Sequence, residues 1–398
     1  MRLWRNWQTR YLQAVVLIKC VGSNPISRTI LVDKLRKWYI HMDKAVKSKK
    51  IRKLLIWTFF IVINIIVLFV MGKKDFQGNP QIRFDEMFNI WMTHIPYLVI
   101  ALLLPIVALL AEGLKYYFLI LFSTKKKRLF VSLKTAVLGK YFDNLTPLGS
   151  GGQAFQIYYL YKKDVPSGIA GSLPIAGFSM MQLAFFLLSI VVFITNGVMI
   201  DSNAFKIAAY IGSVFAIFVP LVFLIYLLIP QLSEKIIQFA LKIFHKMKLI
   251  KNPKKRLKKI HKFEADFKNS MSMLSSSPIL IILTFLLSLI YQLALCSIPY
   301  FVVLASGGTA SWFDVLTLTV FTYAAIAFIP TPGNSGAAEF SFALIFTMLS
   351  GGVIYWAMMF WRISSYYFVI LIGLIFLLIQ PENMDLKKSE IEEQEVNN

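Results

Sequence analysis

Long runs of uncharged, apolar residues constrain this chain more than any other feature. The longest approach or exceed the roughly 20 residues that a helix needs to cross the hydrocarbon core of a bilayer. They are Leu54–Met71, Ile95–Ala111, Ile169–Ile200, Ile207–Ile229, Pro278–Ala305 and Ile363–Ile379. The alternating apolar and polar pattern of membrane β-barrel strands does not occur. The sequence therefore predicts an all-α, polytopic membrane helix bundle and excludes a soluble fold.

Composition and charge narrow the possible functions. The chain is 57% hydrophobic and has 42 Lys and Arg against 20 Asp and Glu. Its cations lie in short segments beside apolar spans, where they orient helices, so nucleic-acid binding is not expected. Cys20 and Cys296, the two cysteines, support no disulfide framework or Cys-based metal site, and the four histidines lack metal-ligand spacing. We predict no catalytic residue, no metal and no cofactor.

The distribution of cations predicts the topology. Cations crowd residues 44–53, before the first span, and residues 125–128, which places both segments and the N-terminus in the cytoplasm. An external loop carrying Lys73 and Arg83 follows the first span, and Pro96 and Pro105 are expected to interrupt the second. Residues 337–349 are too short to cross the core and either dip and return or belong to a broken helix. The sequence predicts about 7–8 transmembrane segments, including reentrant or broken helices.

Three segments flank or interrupt the predicted membrane domain, residues 42–380. Residues 1–41 resemble the peptide encoded by a transfer-RNA gene, with Met42 as the true start, or form a disordered basic tail. Residues 231–277 carry apolar stripes at helical spacing and are expected to form two basic amphipathic helices along the inner leaflet; topology control alone is the alternative. Residues 381–398 are expected to be a disordered charged tail.

Two glycine-rich breaks share one pattern. The first, Asp143–Gln153, contains Thr146-Pro147, and the second, Phe328–Glu339, contains Thr331-Pro332, which lies 331 − 146 = 185 residues later. Irregular backbone at membrane depth survives only around a cavity or inside protein. Interrupted helices at matching places in two repeats indicate a transport site, because helix N-termini offer N–H groups to an anion such as phosphate. The alternative is that the glycines only permit close helix packing.

Ionisable and polar residues accompany both breaks. Glu339 follows the second break, and Arg362 with Tyr366 lies on the final span, where the pair can face the bundle interior. Glu339 and Arg362 are expected to pair with each other or with a zwitterionic headgroup, and a purely structural pair is the alternative. The sequence therefore favours charge recognition at the second break, with backbone groups supplied by the first. Glu112 and Lys115 are expected to snorkel at an interface or to pair locally.

The predicted substrate-binding set combines both breaks and the final span. It consists of Asn144, Thr146, Pro147, Gly149, Gly151, Gly152, Gln153, Pro330, Pro332, Gly333, Gly336, Glu339, Arg362 and Tyr366. Asp143 and Gln156 add further polar groups beside the first break.

At these residues the chain resembles the transmembrane, flippase-like region of the lysylphosphatidylglycerol synthase/flippase family. The resemblance covers roughly residues 50–380 and rests on Asn144, Pro147–Gln153, Pro330–Gly333 with Gly336 and Glu339, and Arg362 with Tyr366-Tyr367. Gln153 stands where the family often has Glu, and Asn334 where it commonly has a second Gly.

The resemblance implies a multi-pass protein of the bacterial plasma membrane that moves a phospholipid such as (lysyl)phosphatidylglycerol between leaflets. Full-length relatives join this region to a soluble domain that transfers lysine from lysyl-tRNA to phosphatidylglycerol, a modification linked to cationic-peptide resistance. About twenty residues follow the last predicted span, so we expect that chemistry to come from a separate lipid-modifying enzyme. A phosphatidylglycerol lysyltransferase, or its membrane subunit, is one alternative, and a non-transporting membrane scaffold is another.

Overall fold

The computed structural model describes residues 82–146, 149, 151–196, 203–228, 267, 269–274, 276–327, 329, 331, 333–346, 349 and 351–379. They all belong to one compact unit, Ile66–Ile379. Within these ranges the regular secondary structure is helical and contains no strand, as predicted. The predicted first span and the assignments for residues 1–41 and 381–398 lie outside the described residues, as does most of the basic segment.

The described residues form a succession of α-helices. They are α1 (Phe84–Thr93), α2 (Ile95–Thr124), α3 (Leu129–Leu145), α4 (Gly151–Lys162), α5 (Ser167–Asn196), α6 (Asn203–Leu228), α7 (Pro278–Ala305), α8 (Trp312–Ile326), α9 (Ala337–Ile345), α10 (Gly351–Arg362) and α11 (Phe368–Leu378). A π-helical turn, Ile363–Tyr367, joins α10 to α11.

Four stretches of the described chain are long and apolar enough to cross a membrane. They are Ile95–Thr124, Ser167–Thr195, Pro278–Ala305 and Gly352–Leu378. Large apolar side chains on the outside of the bundle are strongly exposed, among them Ile194 at 79% and Ile279 at 78%. Patches of this kind are costly in water but suit a surface that faces lipid tails. The structure therefore confirms the all-α membrane bundle.

One prediction about the region before the first break is wrong. Pro96 and Pro105 do not interrupt the second span, because α2 is one helix from Ile95 to Thr124. Pro96 lies in the first turn, where a backbone N–H has no helical partner, and transmembrane helices tolerate an internal proline. The segment assigned to an external loop also contains a helix that was not predicted, α1, which buries Met87. Just before this helix, the Ile82 carbonyl accepts a hydrogen bond from Trp356 Nε1 of α10 (2.9 Å).

Helix α8 lies at the centre of the largest apolar cluster. Val315, Val320 and Phe321 on this helix are fully buried and pack with residues of α5, α6, α7 and α10. A side chain at Gly212 on α6 would come within 1.9 Å of the Ala324 carbonyl oxygen, so the two helices depend on that glycine for their close approach. Small residues commonly allow such contacts between membrane helices.

The end of the basic segment packs against protein. Phe267, Met271 and Leu274, from the second predicted apolar stripe, are buried in a cluster with residues of α2, α3, α4, α5 and α7. The prediction that this stripe lies along the inner leaflet is therefore wrong for these residues. Helical periodicity identifies an apolar face, but it does not distinguish a lipid surface from a neighbouring helix.

Candidate functional site

The second break is a tight connection between α8 and α9. Gly333, Asn334 and Gly336 all have positive φ, at 58°, 52° and 91°. Asn334 belongs to the residue type that tolerates the left-handed region best after glycine, which explains how a non-glycine residue fits at this position of the turn. The turn is fastened by hydrogen bonds from Asn334 N to the Thr331 carbonyl and from Thr331 Oγ1 to the Ser335 carbonyl, both 3.0 Å.

A buried ion pair fixes this turn to the final span. Arg362 Nε donates to Glu339 Oε1 at 2.7 Å, and Arg362 Nη2 donates to the Gly333 carbonyl at 3.1 Å. The other carboxylate oxygen of Glu339 accepts the Gly336 N–H at 2.6 Å, which caps α9. Glu339 is 2% exposed and Arg362 5%. The predicted pairing of these residues is confirmed, and each charge is satisfied by protein groups.

Tyr366 connects the two breaks. Its hydroxyl donates to the Asn144 carbonyl at the end of α3 (3.2 Å), while its ring lies against Gly333. A Cβ at Gly333 would fall 2.1 Å from that ring, so the contact requires glycine. Tyr366 belongs to the π-helical turn after Arg362, and π-helical turns occur frequently at functional sites. Asn144 and Gly333, which are 333 − 144 = 189 positions apart in sequence, therefore meet through one side chain.

The first break joins α3 to α4, which pack together as a helical hairpin. Thr146 Oγ1 accepts the Gly151 N–H at 2.8 Å, and Asp143 Oδ1 accepts the Gly152 N–H at 2.9 Å. A Cβ at Gly152 would lie 2.3 Å from Asp143 Oδ1 and 2.5 Å from the Gly139 carbonyl oxygen, so a larger residue would force the hairpin apart. The predicted interruption of the helix is confirmed, whereas the reentrant position of this hairpin in the membrane remains a prediction.

The helix N-termini at the breaks are occupied by groups of the chain itself. Gly151, Gly152 and Gly336 donate to Thr146, Asp143 and Glu339, respectively. The expectation that these N–H groups are free for an anion is therefore wrong, because carboxylate and hydroxyl oxygens take the positions that a phosphate would fill.

Gln156 holds the hairpin to α2. Its Oε1 accepts the Tyr116 hydroxyl at 2.9 Å, and its Nε2 donates to the Thr135 carbonyl at 3.3 Å. The side chain occupies the space left by Gly139, where a Cβ would come within 2.0 Å of Nε2. Gln156 is buried and acts in packing, whereas Gln153 on the same helix is half-buried beside the break.

A second charged group, absent from the predicted site, lies between α2 and α3. Lys115 Nζ is 2.7 Å from Glu112 Oε2 and donates to the Gly177 carbonyl at 3.0 Å. Lys140 Nζ is 3.9 Å from Asp143 Oδ2. Local pairing of Glu112 with Lys115 is confirmed, and snorkelling is wrong because Lys115 is fully buried. The sequence signal that could have identified this group is the occurrence of opposite charges three residues apart within helical, largely apolar segments.

The predicted site residues divide by burial. Gly152, Glu339, Arg362 and Tyr366 are buried, whereas Asn144, Thr146, Gly149, Gly151, Gln153, Gly333 and Gly336 are half-buried and line the breaks. Pro147, Pro330 and Pro332 lie outside the described residues. Across the described part of the chain, no three His, Cys, Asp or Glu side chains are grouped to hold a metal ion.

Comparison with known proteins agrees with this architecture. Residues 55–373 match the family model described as the lysylphosphatidylglycerol synthase TM region. A UPF0104 membrane protein from Archaeoglobus fulgidus is 24% identical over 284 residues, which cover 70% of this chain and 84% of that protein. The match to the family model includes both breaks and the final span as far as Gly373. The chain is therefore a multi-pass membrane protein that belongs to the lysylphosphatidylglycerol synthase TM-region family.

Proposed function

We propose that this protein is a lipid translocase, which moves a phospholipid such as (lysyl)phosphatidylglycerol between the leaflets of a bacterial plasma membrane. The observation that carries the proposal is the meeting of two broken helices at Tyr366 inside a membrane bundle. Interrupted helices in corresponding positions are typical of transport sites, where irregular backbone lines a path for a polar group.

The burial pattern of the breaks supports a path beside them. The contacts that tie the breaks to the final span are made by buried side chains, namely the Glu339–Arg362 pair and the Tyr366 hydroxyl. Other residues at the breaks, including Asn144, Thr146 and Gly149 of the first break, are half-buried. If the glycines only permitted close helix packing, all residues of the breaks would be expected to be buried. In the proposed path, the half-buried residues contact the moving headgroup and the buried ones hold the breaks in place.

A transferase activity is the second candidate, because the family description names a synthase. We assign the transfer of lysine to a separate lipid-modifying enzyme that would act beside this protein. Purified protein incubated with lysyl-tRNA and phosphatidylglycerol should then form no lysylphosphatidylglycerol. Formation of that product would overturn the assignment, and a scaffold role would be favoured if neither transfer nor lipid movement occurred.

Lipid movement can be measured after reconstitution into vesicles that contain fluorescent phosphatidylglycerol or its lysylated form. Quenching of the total fluorescence by a membrane-impermeant reagent should be complete with the native protein, and should stop at about half in protein-free vesicles, where the inner-leaflet lipid is protected. Glu339→Ala and Arg362→Ala should each slow exchange at least tenfold at equal amounts of monodisperse protein, and Lys126→Ala, at an exposed position after α2, should not. Exchange at the native rate in both site variants would refute the assigned site.

A further inference from the structure

Lys140 places a cation deep in the bundle next to the first break. The cations at residues 125–128 are predicted to lie at the membrane surface. Lys140 is 140 − 128 = 12 residues beyond Arg128, the last of them, or ~18 Å along α3 at 1.5 Å per residue. That distance brings it near the middle of a hydrocarbon core of about 30 Å. A charged side chain at this depth is costly unless it serves a ligand or a close partner.

The partners of Lys140 are weak compared with those of two other buried cations, Arg362 and Lys115. Its Nζ lies 3.1 Å from the thioether sulfur of Met181, 4.8 Å from the ring centroid of Tyr291 and 3.9 Å from Asp143 Oδ2. By contrast, Arg362 and Lys115 each reach a carboxylate oxygen at 2.7 Å. Tyr291 also offers its neutral hydroxyl as a hydrogen-bond partner of Lys140. A thioether, an aromatic face and a neutral hydroxyl solvate an ammonium group less well than an anionic oxygen does. Lys140 therefore has capacity for a stronger ligand.

Lys140 and Asp143 are also the accessible members of the charged group. Their side chains are 13% and 18% exposed, whereas those of Lys115 and Glu112 are 0% and 4% exposed. Asp143 is anchored independently of Lys140, because its other oxygen accepts the Gly152 N–H. A ligand can therefore take the place of the distant carboxylate at Lys140 without disturbing the cap of α4.

We propose that Lys140 binds the phosphodiester of a glycerophospholipid, with Asp143 as its counter-ion when no lipid is bound. This inference rests on the proposed translocase function and identifies the group of the substrate that the first break recognises. The ammonium group donates to a phosphate oxygen, and Met181 and Tyr291 flank the same position. Charge recognition then belongs to the first break, the opposite of the arrangement expected from the sequence.

Lipid binding tests the inference without requiring transport. Purified protein in detergent would be titrated with short-chain fluorescent phosphatidylglycerol and with a glucosyl-diacylglycerol, which has no phosphate. Lys140→Met should weaken phosphatidylglycerol binding about tenfold and leave glycolipid binding unchanged, and Lys140→Arg should restore most of the affinity. Asp143→Asn, which retains an oxygen for Gly152, should bind phosphatidylglycerol at least as tightly as the native protein. Lys126→Met is the control for loss of a surface cation.

The possible outcomes separate the inference from the proposed function. Native phosphatidylglycerol affinity in Lys140→Met, or an equal loss for both lipids, would overturn the role of Lys140. Displacement of the lipid by inorganic phosphate at equal concentration would assign the site to a soluble anion and overturn the lipid assignment. Binding that depends on Lys140 in a protein that exchanges no lipid would uphold the site and refute the translocase. Thermal unfolding of each variant identifies losses that arise from misfolding.

Discussion

Removal of the Glu339 carboxylate should destabilise the protein strongly, because it leaves Arg362 charged and enclosed. In Glu339→Ala the guanidinium keeps the Gly333 carbonyl but loses the oxygen at 2.7 Å, at a position that is 5% exposed. Breaking a buried pair from one side costs about 3–5 kcal/mol. The same substitution removes the hydrogen bond that caps the Gly336 N–H. The loss of a helix cap costs about 1 kcal/mol, and the total of about 3–5 kcal/mol includes it.

The free energy of unfolding can be measured by reversible titration of mixed micelles with a denaturing detergent. Arg362→Met should also destabilise the protein, and the double variant Glu339→Ala/Arg362→Met should lose less than the sum of the single variants, because no charge is then stranded. A coupling energy of about 2 kcal/mol or more is expected for a pair in direct contact. Glu86→Ala, at an exposed position of α1, is the matched control and should change stability by less than about 0.5 kcal/mol.

Two results would refute this reasoning. A loss below about 1 kcal/mol in Glu339→Ala would mean that Arg362 finds water or another acceptor, as surface pairs do. Additive single losses would mean that the 2.7 Å contact carries no energy of its own.

The same unfolding assay tests three further predictions. Gly333→Ala should cost more than about 1–2 kcal/mol, because φ is 58° and the new Cβ meets the Tyr366 ring. Tyr366→Phe should cost about 0.5–1.5 kcal/mol, the contribution of one hydrogen bond to Asn144, and a larger loss would indicate a further role for the hydroxyl. Lys115→Met should cost about 3–5 kcal/mol by stranding Glu112, and adding Glu112→Gln should recover much of it; no recovery would contradict the pairing.

The helical bundle was predictable because its signals are local. Uncharged runs of spanning length identify helices such as α5 and α7 without any knowledge of their neighbours. The interruption of the helix at the first break was equally predictable, since Pro147 and the glycines that follow it disfavour a continuous helix. Helix α1 escaped prediction because it is short and carries charges in its first turn, and its stability depends on burying Met87 and Trp91 against other helices.

The candidate site was only partly predictable, because its contacts depend on side chains far apart in sequence. The type and spacing of Glu339 and Arg362 suggested a pair, and the structure places them together. The Tyr366 contact with Asn144 joins residues 222 positions apart, and the sequence contains no local signal for it. The π-helical turn at Ile363–Tyr367 was likewise not predictable, since its sequence, Ile-Ser-Ser-Tyr-Tyr, contains no residue type that is specific to a π-helix.

The distribution of strong and weak ionic contacts gives the two breaks different roles. At the second break, Arg362 and Glu339 satisfy each other and the turn, so a headgroup that bound either one would first have to disrupt a contact worth several kcal/mol. At the first break, Lys140 is partly exposed and its nearest carboxylate is 3.9 Å away, so a phosphate would gain a contact while displacing little. A translocase must also release its lipid, which favours recognition by a loosely paired cation over a closed ion pair. In the proposed translocase, the second break is therefore the fixed support and the first is the surface that the lipid contacts.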